Sequence, residues 1–298
     1  MSNTVQQSKP TVSSVVEQLA SKLHLAGITD ARRTATDILA AVLEVPRLWP
    51  VMNREAAVDS TAAVTATRAA ERMVKGAPFG YAVGCVAFRH LNLVVDERVL
   101  IPRPETELLV EEILLRMEKV FRNGRPWGTA ADIGTGSGAI ALSLASEGRF
   151  QSVIATDASN DALTVARINA SRSATALRVR VDFRQGSLLA PLGGQKVAVL
   201  ASNPPYVSFA EMDSLPPSVR DWEPPIALFS GHDGLAATKE LVRAGSRNLM
   251  TGGLLALEVD ERRASLVAEM VMRHGTYMDV GVRLDLAGRE RFVFASRI

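Results

Sequence analysis

A chain of 298 residues, 47% hydrophobic and 22% charged, is long enough for one large domain or two unequal ones and has the balance of an ordinary globular enzyme. A formal net charge of +2 argues against a large nucleic-acid footprint, and a single cysteine, Cys85, excludes an intrachain disulfide and a cysteine-rich metal site. The four histidines lack metal-ligand spacing, the N-terminus lacks an apolar signal-peptide centre, and no apolar run reaches the ~18 residues of a membrane span, so the chain reads as cytosolic.

Residues 1–10 are polar and read as a disordered leader. Val12, Val15, Val16, Leu19 and Leu23 then recur at helical spacing, with Gly27 as a stop and Thr29 or Asp30 as a cap for the next helix. That second helix carries Ile38, Leu39, Val42 and Leu43 on one face up to Pro46, and an alanine-rich third spans about Ala56 to Val74. Short helices with short loops predict a small bundle over 11–77, serving either as a substrate-docking module or as a stabilising cap. From Phe79 to Val95 glycines and β-favouring residues predict a β-hairpin linker, bounded at 78–98, before a larger domain over 99–298.

Ile101-Pro102-Arg103-Pro104-Glu105-Thr106-Glu107 opens that domain. Pro104 suits the first turn of a helix, and Glu105 and Glu107 suit the positive end of its dipole. A helix start explains the acids but does not call for Arg103 between two prolines. Five apolar runs follow, at 130–133, 153–155, 179–183, 197–200 and 254–259, alternating with helical segments, and 276–284 and 291–295 read as a final hairpin. The pattern predicts an α/β domain with a doubly wound, mainly parallel sheet of seven strands and an antiparallel member at or near an edge.

After the first of these strands stands Asp132-Ile133-Gly134-Thr135-Gly136-Ser137-Gly138. Its G-x-G-x-G spacing is neither the dinucleotide fingerprint nor a phosphate loop, which suits a nucleoside without phosphates such as S-adenosylmethionine. The next strand ends at Asp157, where an acid can bind ribose hydroxyls, and Ser159 or Asn160 can cap the helix behind it. The fourth strand runs into Ser202-Asn203-Pro204-Pro205-Tyr206. Two prolines fix their own φ and push the residues before them towards extended geometry, so the loop is stiff and suits gripping a planar –NH2 group.

With these residues the chain resembles the class I S-adenosylmethionine-dependent methyltransferases, Rossmann-like in fold. It is more closely similar to the HemK/PrmC family, which methylates the N(5) nitrogen of a glutamine in peptide chain release factors. The likeness runs through Arg32-Arg33 before Asp37-Ile38-Leu39, Ile101 to Glu107, Asp132 to Gly138, Asp157 to Leu163, Asn203 to Tyr206 and Trp222-Glu223-Pro224, and continues in Ala227-Leu228 and Asp233 to Leu235. The resemblance implies cofactor contacts from Gly134, Thr135, Gly136, Ser137, Gly138, Asp157 and Asn203. It implies a glutamine-binding loop of Asn203, Pro204, Pro205 and Tyr206, with Asn203, Pro204 and Tyr206 catalytic, and no metal. Ser187-Leu188, Asp260 and the Gly80-Tyr81 region depart from the family's usual wording.

The implied reaction transfers a methyl group to the glutamine of the Gly-Gly-Gln tripeptide. From charge and composition the enzyme is expected to be cytoplasmic and to bind no nucleic acid stably, with a monomer as the default. Asn203 Oδ1 and the Pro204 carbonyl would accept the two N–H bonds of the amide, and Tyr206 would cover its plane. An amino-methyltransferase acting on adenine or cytosine needs the same grip and is the alternative. A catalytically inert scaffold is disfavoured by the presence of both the glycine loop and the complete tetrapeptide.

Overall fold

The computed structural model describes residues 9–121 and 125–298. They fall into two compact units, one ending at Cys85 and taking in Pro217–Trp222, the other formed by Val86–Pro216 and Glu223–Ile298. Residues 1–8 of the expected leader lie outside the described residues. Pro10 is tied down, its carbonyl accepting the Val58 amide at 2.8 Å.

The first unit is helical, with α1 (Val12–Leu25), α2 (Ala31–Val42), α3 (Trp49–Met52), α4 (Ser60–Val74) and α5 (Phe79–Val83). The Thr11 hydroxyl caps α1 by accepting the Ser14 amide at 3.2 Å, and Asp59 caps α4 by accepting the Thr61 amide at 2.9 Å. Asp30 sits at the N-cap of α2 but with φ 56°, and its side chain makes no cap bond, contrary to expectation. The helix expected from Ala56 starts four residues later, because Ala57 bridges Thr11 and Val58 bonds Pro10, which keeps that stretch extended. Leu19, Leu23, Ile38, Leu39, Ala66 and Ala70 meet in one core, where the small alanines let helices approach closely.

Phe79–Val83 also departs from the reading of the sequence. It is one turn of helix, closed by Gly84 at φ 81°, with Tyr81 buried, and the hairpin is confined to β1 (Cys85–Phe88) and β2 (Leu91–Val94). Five residues are too few to display a helical period, so β-favouring side chains dominate the local signal.

In the second unit α6 (Pro104–Val120) begins with proline at its first turn. There follow β3 (Thr129–Ile133), α7 (Ala139–Glu147), β4 (Ser152–Asp157), α8 (Asn160–Arg172), β5 (Val181–Gln185) and β6 (Val197–Ser202). After α9 (Pro217–Arg220), which clusters with the first unit, come α10 (Pro225–Leu228), α11 (Ala236–Gly245), β7 (Leu249–Glu258), α12 (Ala264–Arg273), β8 (Tyr277–Leu284) and β9 (Glu290–Arg297). The strands form one seven-stranded sheet in the order β5-β4-β3-β6-β7-β9-β8. The first five are mutually parallel, and β9 is antiparallel to both β7 and β8.

Helices cover both faces, which is why β6 is buried at every residue and reads as a continuous apolar run. On one face α6 and α7 close a core around Leu109, Ile113, Leu142, Val153 and Phe294; on the other α11 and α12 pack Leu241, Val267 and Val271 onto Leu200 and Leu255. The chain direction across the sheet reverses between β3 and β6, which pair through Ala130–Val199 and Asp132–Ala201. In a doubly wound sheet the carboxyl ends at that point open a crevice. The glycine loop leaves β3 there, and Asn203 leaves β6.

Candidate functional site

A cleft of about 480 Å³ opens at these strand ends. Of the predicted site residues, Gly134, Gly136, Asp157, Asn203 and Pro205 line it. Thr135, Ser137, Gly138, Pro204 and Tyr206 do not.

The glycine loop is held from beneath. The Gly134 and Thr135 amides both donate to the Thr156 carbonyl, at 2.9 and 2.8 Å, so the loop folds over the end of β4. Thr135 turns inward and its hydroxyl donates to Asp132 Oδ2 at 2.6 Å, the same oxygen that accepts the Ala141 amide at 3.1 Å. Asp132 is fully buried, and burial pushes its carboxyl up to about 7 against the pull of the Thr135 hydrogen bond. Ser137 supplies its carbonyl to Asn169 Nδ2 at 2.9 Å, and Gly138 lies so near Leu142 and Ala166 that a Cβ would stand 3.1 Å from a Leu142 methyl. These three residues shape the turn. Gly134 (φ 74°) and Gly136 (φ 54°) have open space where a Cβ would point, so the chain offers bare backbone to whatever fills the cleft.

Asp157 closes the next side. Its Oδ2 accepts the Gly136 amide at 2.9 Å and its Oδ1 accepts the Ser159 amide at 2.9 Å, while Ser159 caps α8 through the Ala162 amide. Burial raises the Asp157 carboxyl above its ordinary value, and the backbone donors oppose that rise. Ser187 and Leu188, which depart from the resembled family, follow β5 into the same cleft, Leu188 at φ 47° with its carbonyl accepting the Thr156 hydroxyl at 3.3 Å.

Asn203 is positioned by tertiary contacts. Its Nδ2 donates to the Thr106 hydroxyl at 3.3 Å, and that hydroxyl donates to Glu258 Oε2 at 2.7 Å. Ser202 anchors the same loop by donating to the Ile133 carbonyl at 2.6 Å. Burial, reinforced by the nearby Glu258, pushes the Tyr206 phenol up to about 12, so it stays neutral. The Tyr206 carbonyl lies 2.3 Å from where a Cβ of Gly234 would stand, and Gly234 has φ 73°: only glycine fits.

The far wall was not read from the sequence as part of the site. It includes Ile226, Ala227, Phe229, Ser230 and Ala237, and Arg98 to Leu100 line the cleft as well. Ser230 Oγ accepts the Ala237 amide at 2.9 Å, and Phe229 stacks on Phe209 with centroids 5.4 Å apart. The loop carrying Phe209 is fixed by Glu211, whose carboxylate takes Arg263 at 2.9 Å and Arg262 at 2.7 Å, and both arginines also reach Asp260. Burial alone would raise the Asp260 carboxyl, but the hydrogen bonds from Arg262 outweigh it and hold it below its ordinary value. Asp260 therefore has a structural part here. In the sequence Ala227-Leu228 and Asp233-Gly234-Leu235 stand out only as residues of resemblance, because Gly231, Asp233 and Gly234 follow no recognised motif spacing.

Among the described residues no helix is long and apolar enough to cross a membrane, and no group of three or more His, Cys, Asp or Glu could hold a metal ion.

Comparison with known proteins gives a consistent result. The family model for the PrmC N-terminal domain matches residues 14–84, and that for the methyltransferase small domain matches 106–215. The release factor glutamine methyltransferase of Moorella thermoacetica is 40% identical over 278 residues, covering 93% of this chain and 95% of the relative. That of Deinococcus radiodurans is 36% identical over 283 residues, covering 95% and 97%. Among solved structures, the hMettl16 catalytic domain in complex with the MAT2A 3'UTR hairpin 6 shares the fold, with a TM-score of 0.54 and 16% identity over 74% of this chain and 80% of that one.

Proposed function

The chain belongs to the release factor glutamine methyltransferases, and from that premise we propose that it methylates the side-chain amide nitrogen of the glutamine in the Gly-Gly-Gln tripeptide of peptide chain release factors. The observation that carries this reading is the meeting, in one cleft at the sheet's switch point, of the glycine loop, Asp157 and the Asn203 loop.

S-adenosylmethionine, the methyl donor, supplies an electrophilic sulfonium methyl when bound. The residues fit it. Gly134 and Gly136 present backbone with room beside it, Asp157 offers a carboxylate at a strand end for ribose hydroxyls, and Ile226, Ala227 and Leu188 give an apolar wall for a flat heterocycle.

An amide nitrogen is a poor nucleophile because its lone pair is shared with the carbonyl. Asn203 Oδ1 and the Pro204 carbonyl accept its two N–H bonds and hold the nitrogen in one orientation. They favour positive charge developing there, so orientation and electrostatics do most of the catalysis. The stiffness of Pro204-Pro205 keeps both acceptors in place before substrate arrives. Tyr206, neutral and outside the lining of the ligand-free cleft, covers the amide plane and excludes water once the glutamine is seated beside the Asn203 loop. The methylated nitrogen is acidic enough to give its proton to water, so no buried base is required.

A near-balanced charge of +2 favours a protein substrate over stable nucleic-acid binding, and a substrate drawn from the translation machinery calls for a cytoplasmic enzyme. The test is incubation with labelled S-adenosylmethionine and, separately, release factor, its Gln→Ala variant in the tripeptide, DNA and RNA. Label on release factor but not on its variant is expected. Label on nucleic acid alone establishes the adenine or cytosine reading instead.

A further inference from the structure

Thr106 and Glu258 lie behind Asn203, on α6 and at the end of β7, and the reaction described above uses neither. Thr106 is 3% exposed and Glu258 1%. The chain Asn203 Nδ2 to Thr106 Oγ (3.3 Å) to Glu258 Oε2 (2.7 Å) joins residues 97 and 152 positions apart in sequence. A hydroxyl so placed has one proton and a fixed direction in which to give it.

We propose that Thr106 and Glu258 are positioning residues that determine which end of the Asn203 amide meets the substrate. The inference rests on the reading of Asn203 as acceptor for the glutamine amide and adds what makes it one. An ionised carboxylate only accepts, so the Thr106 proton goes to Glu258. The Thr106 oxygen then has only lone pairs left for Asn203, so it faces the NH2 end. Asn203 Oδ1, which takes no hydrogen bond from any described residue, is left for an N–H donor in the cleft. A protonated Glu258 reverses this logic. Its O–H donates to Thr106, the Thr106 proton is released to seek Asn203 Oδ1, and the amide turns its NH2 to the cleft, where it meets the substrate's own NH2 donor to donor.

The surroundings put this proton within reach of ordinary pH. Burial pushes the Glu258 carboxyl up to about 7, while the Thr106 hydrogen bond and the charges of Arg291 on β9 and Arg103 before α6 pull it down, and Glu105 on α6 raises it. Tyr206 faces it from the loop after β6 and stays neutral. Asp260, two residues beyond Glu258, is occupied by Arg262 and Arg263. Arg291 is itself drawn towards Asp285, at 3.8 Å, and the Val259 carbonyl, at 3.3 Å, so Glu258 does not hold it alone.

The experiment compares wild type, Thr106→Ser, Thr106→Val and Glu258→Gln in methylation of release factor. Each protein is first shown to bind S-adenosylmethionine by calorimetry. Thr106→Val keeps the shape and removes the hydroxyl, and is expected to lower kcat by ~10²-fold with KM for both substrates within about threefold. Thr106→Ser is expected to restore most of that loss. Wild-type kcat is expected to rise with pH through about 7 and to be flat in Glu258→Gln. Independently of turnover, the side-chain amide resonances of Asn203 are expected to titrate in wild type and not in Glu258→Gln. A Thr106→Val variant with wild-type kcat, equal losses for Ser and Val, or Asn203 resonances that titrate unchanged in Glu258→Gln would overturn the inference. Failure of the wild type to methylate release factor while binding S-adenosylmethionine would instead overturn the substrate reading, and the resonance measurement would still decide this one.

Discussion

Arg103 and Glu223, 120 positions apart in sequence, meet at 2.6 Å, with the Glu223 carboxylate buried and the Arg103 guanidinium at the edge of the protein. Burial raises the Glu223 carboxyl above its ordinary value, the charge and hydrogen bond of Arg103 opposing the rise. The pair explains why an arginine stands between Pro102 and Pro104. It pins the segment before α6 to the stretch before α10, and so sets the position from which Thr106 reaches Asn203. Removing Arg103 leaves a buried carboxylate alone, which costs ~3 kcal/mol, whereas Glu223→Gln leaves no buried charge and costs less. Denaturant unfolding of Arg103→Ala and Glu223→Gln checks this. Equal losses would remove the argument that an uncompensated charge is the cause.

Asn203→Ala deletes the proposed amide acceptor but no backbone of the glycine loop. kcat is expected to fall by ~10²–10³-fold, the scale of losing one preorganised polar contact to a developing charge. The dissociation constant for S-adenosylmethionine, read by calorimetry, is expected to change only a few fold. Near-normal turnover would sink the mechanism.

Asp157→Ala addresses the other half of the cleft. A hydrogen bond to a charged group contributes ~1.5–3 kcal/mol, so affinity for S-adenosylmethionine is expected to weaken by about 10–100-fold. An unchanged affinity would show that Asp157 serves only the Gly136 and Ser159 amides it accepts.

Gly234→Ala sets a methyl 2.3 Å from the Tyr206 carbonyl at a φ of 73°. Overpacking of this kind costs ~1–3 kcal/mol, and the softer partner is the loop that ends in Tyr206. Both the melting temperature and kcat are expected to fall. A variant with wild-type values for both would mean that the Tyr206 loop yields freely, against the rigidity argued from its prolines.

Stability is expected to fall as pH rises from about 5 to about 8 in the ligand-free protein. Asp132 and Glu258 have folded-state values near 7, above those of the unfolded chain. Between the two values the native state holds protons that the unfolded state has lost, so their contribution is complete below the unfolded value and is lost through about 7. Denaturant unfolding at about pH 5 and about pH 8 measures the drop, and Asp132→Asn is expected to reduce it. A wild type that gains stability over this interval would contradict the assignment.

Much of the site could be read from short stretches. A run of closely spaced glycines marks a sharp backbone turn, two adjacent prolines stiffen a loop, and an acid ending an apolar run marks a strand terminus. These are local constraints, so Asp132 to Gly138, Asp157 and Asn203 to Tyr206 could be singled out, and the alternation of apolar runs led to the sheet. Phe79–Val83 misled because one turn of helix contains no period to read.

Tertiary structure alone decided which loop residues face the cleft, with Gly134 and Gly136 lining it while Thr135 and Ser137 turn inward. It also decided the wall from Ile226 to Ala237, the partnership of Arg103 with Glu223, and the path from Asn203 through Thr106 to Glu258. The physical reason is range. Backbone propensity and periodicity act over a few residues, whereas a hydrogen bond between side chains 97 or 152 positions apart exists only once the sheet has brought β6, β7 and α6 together.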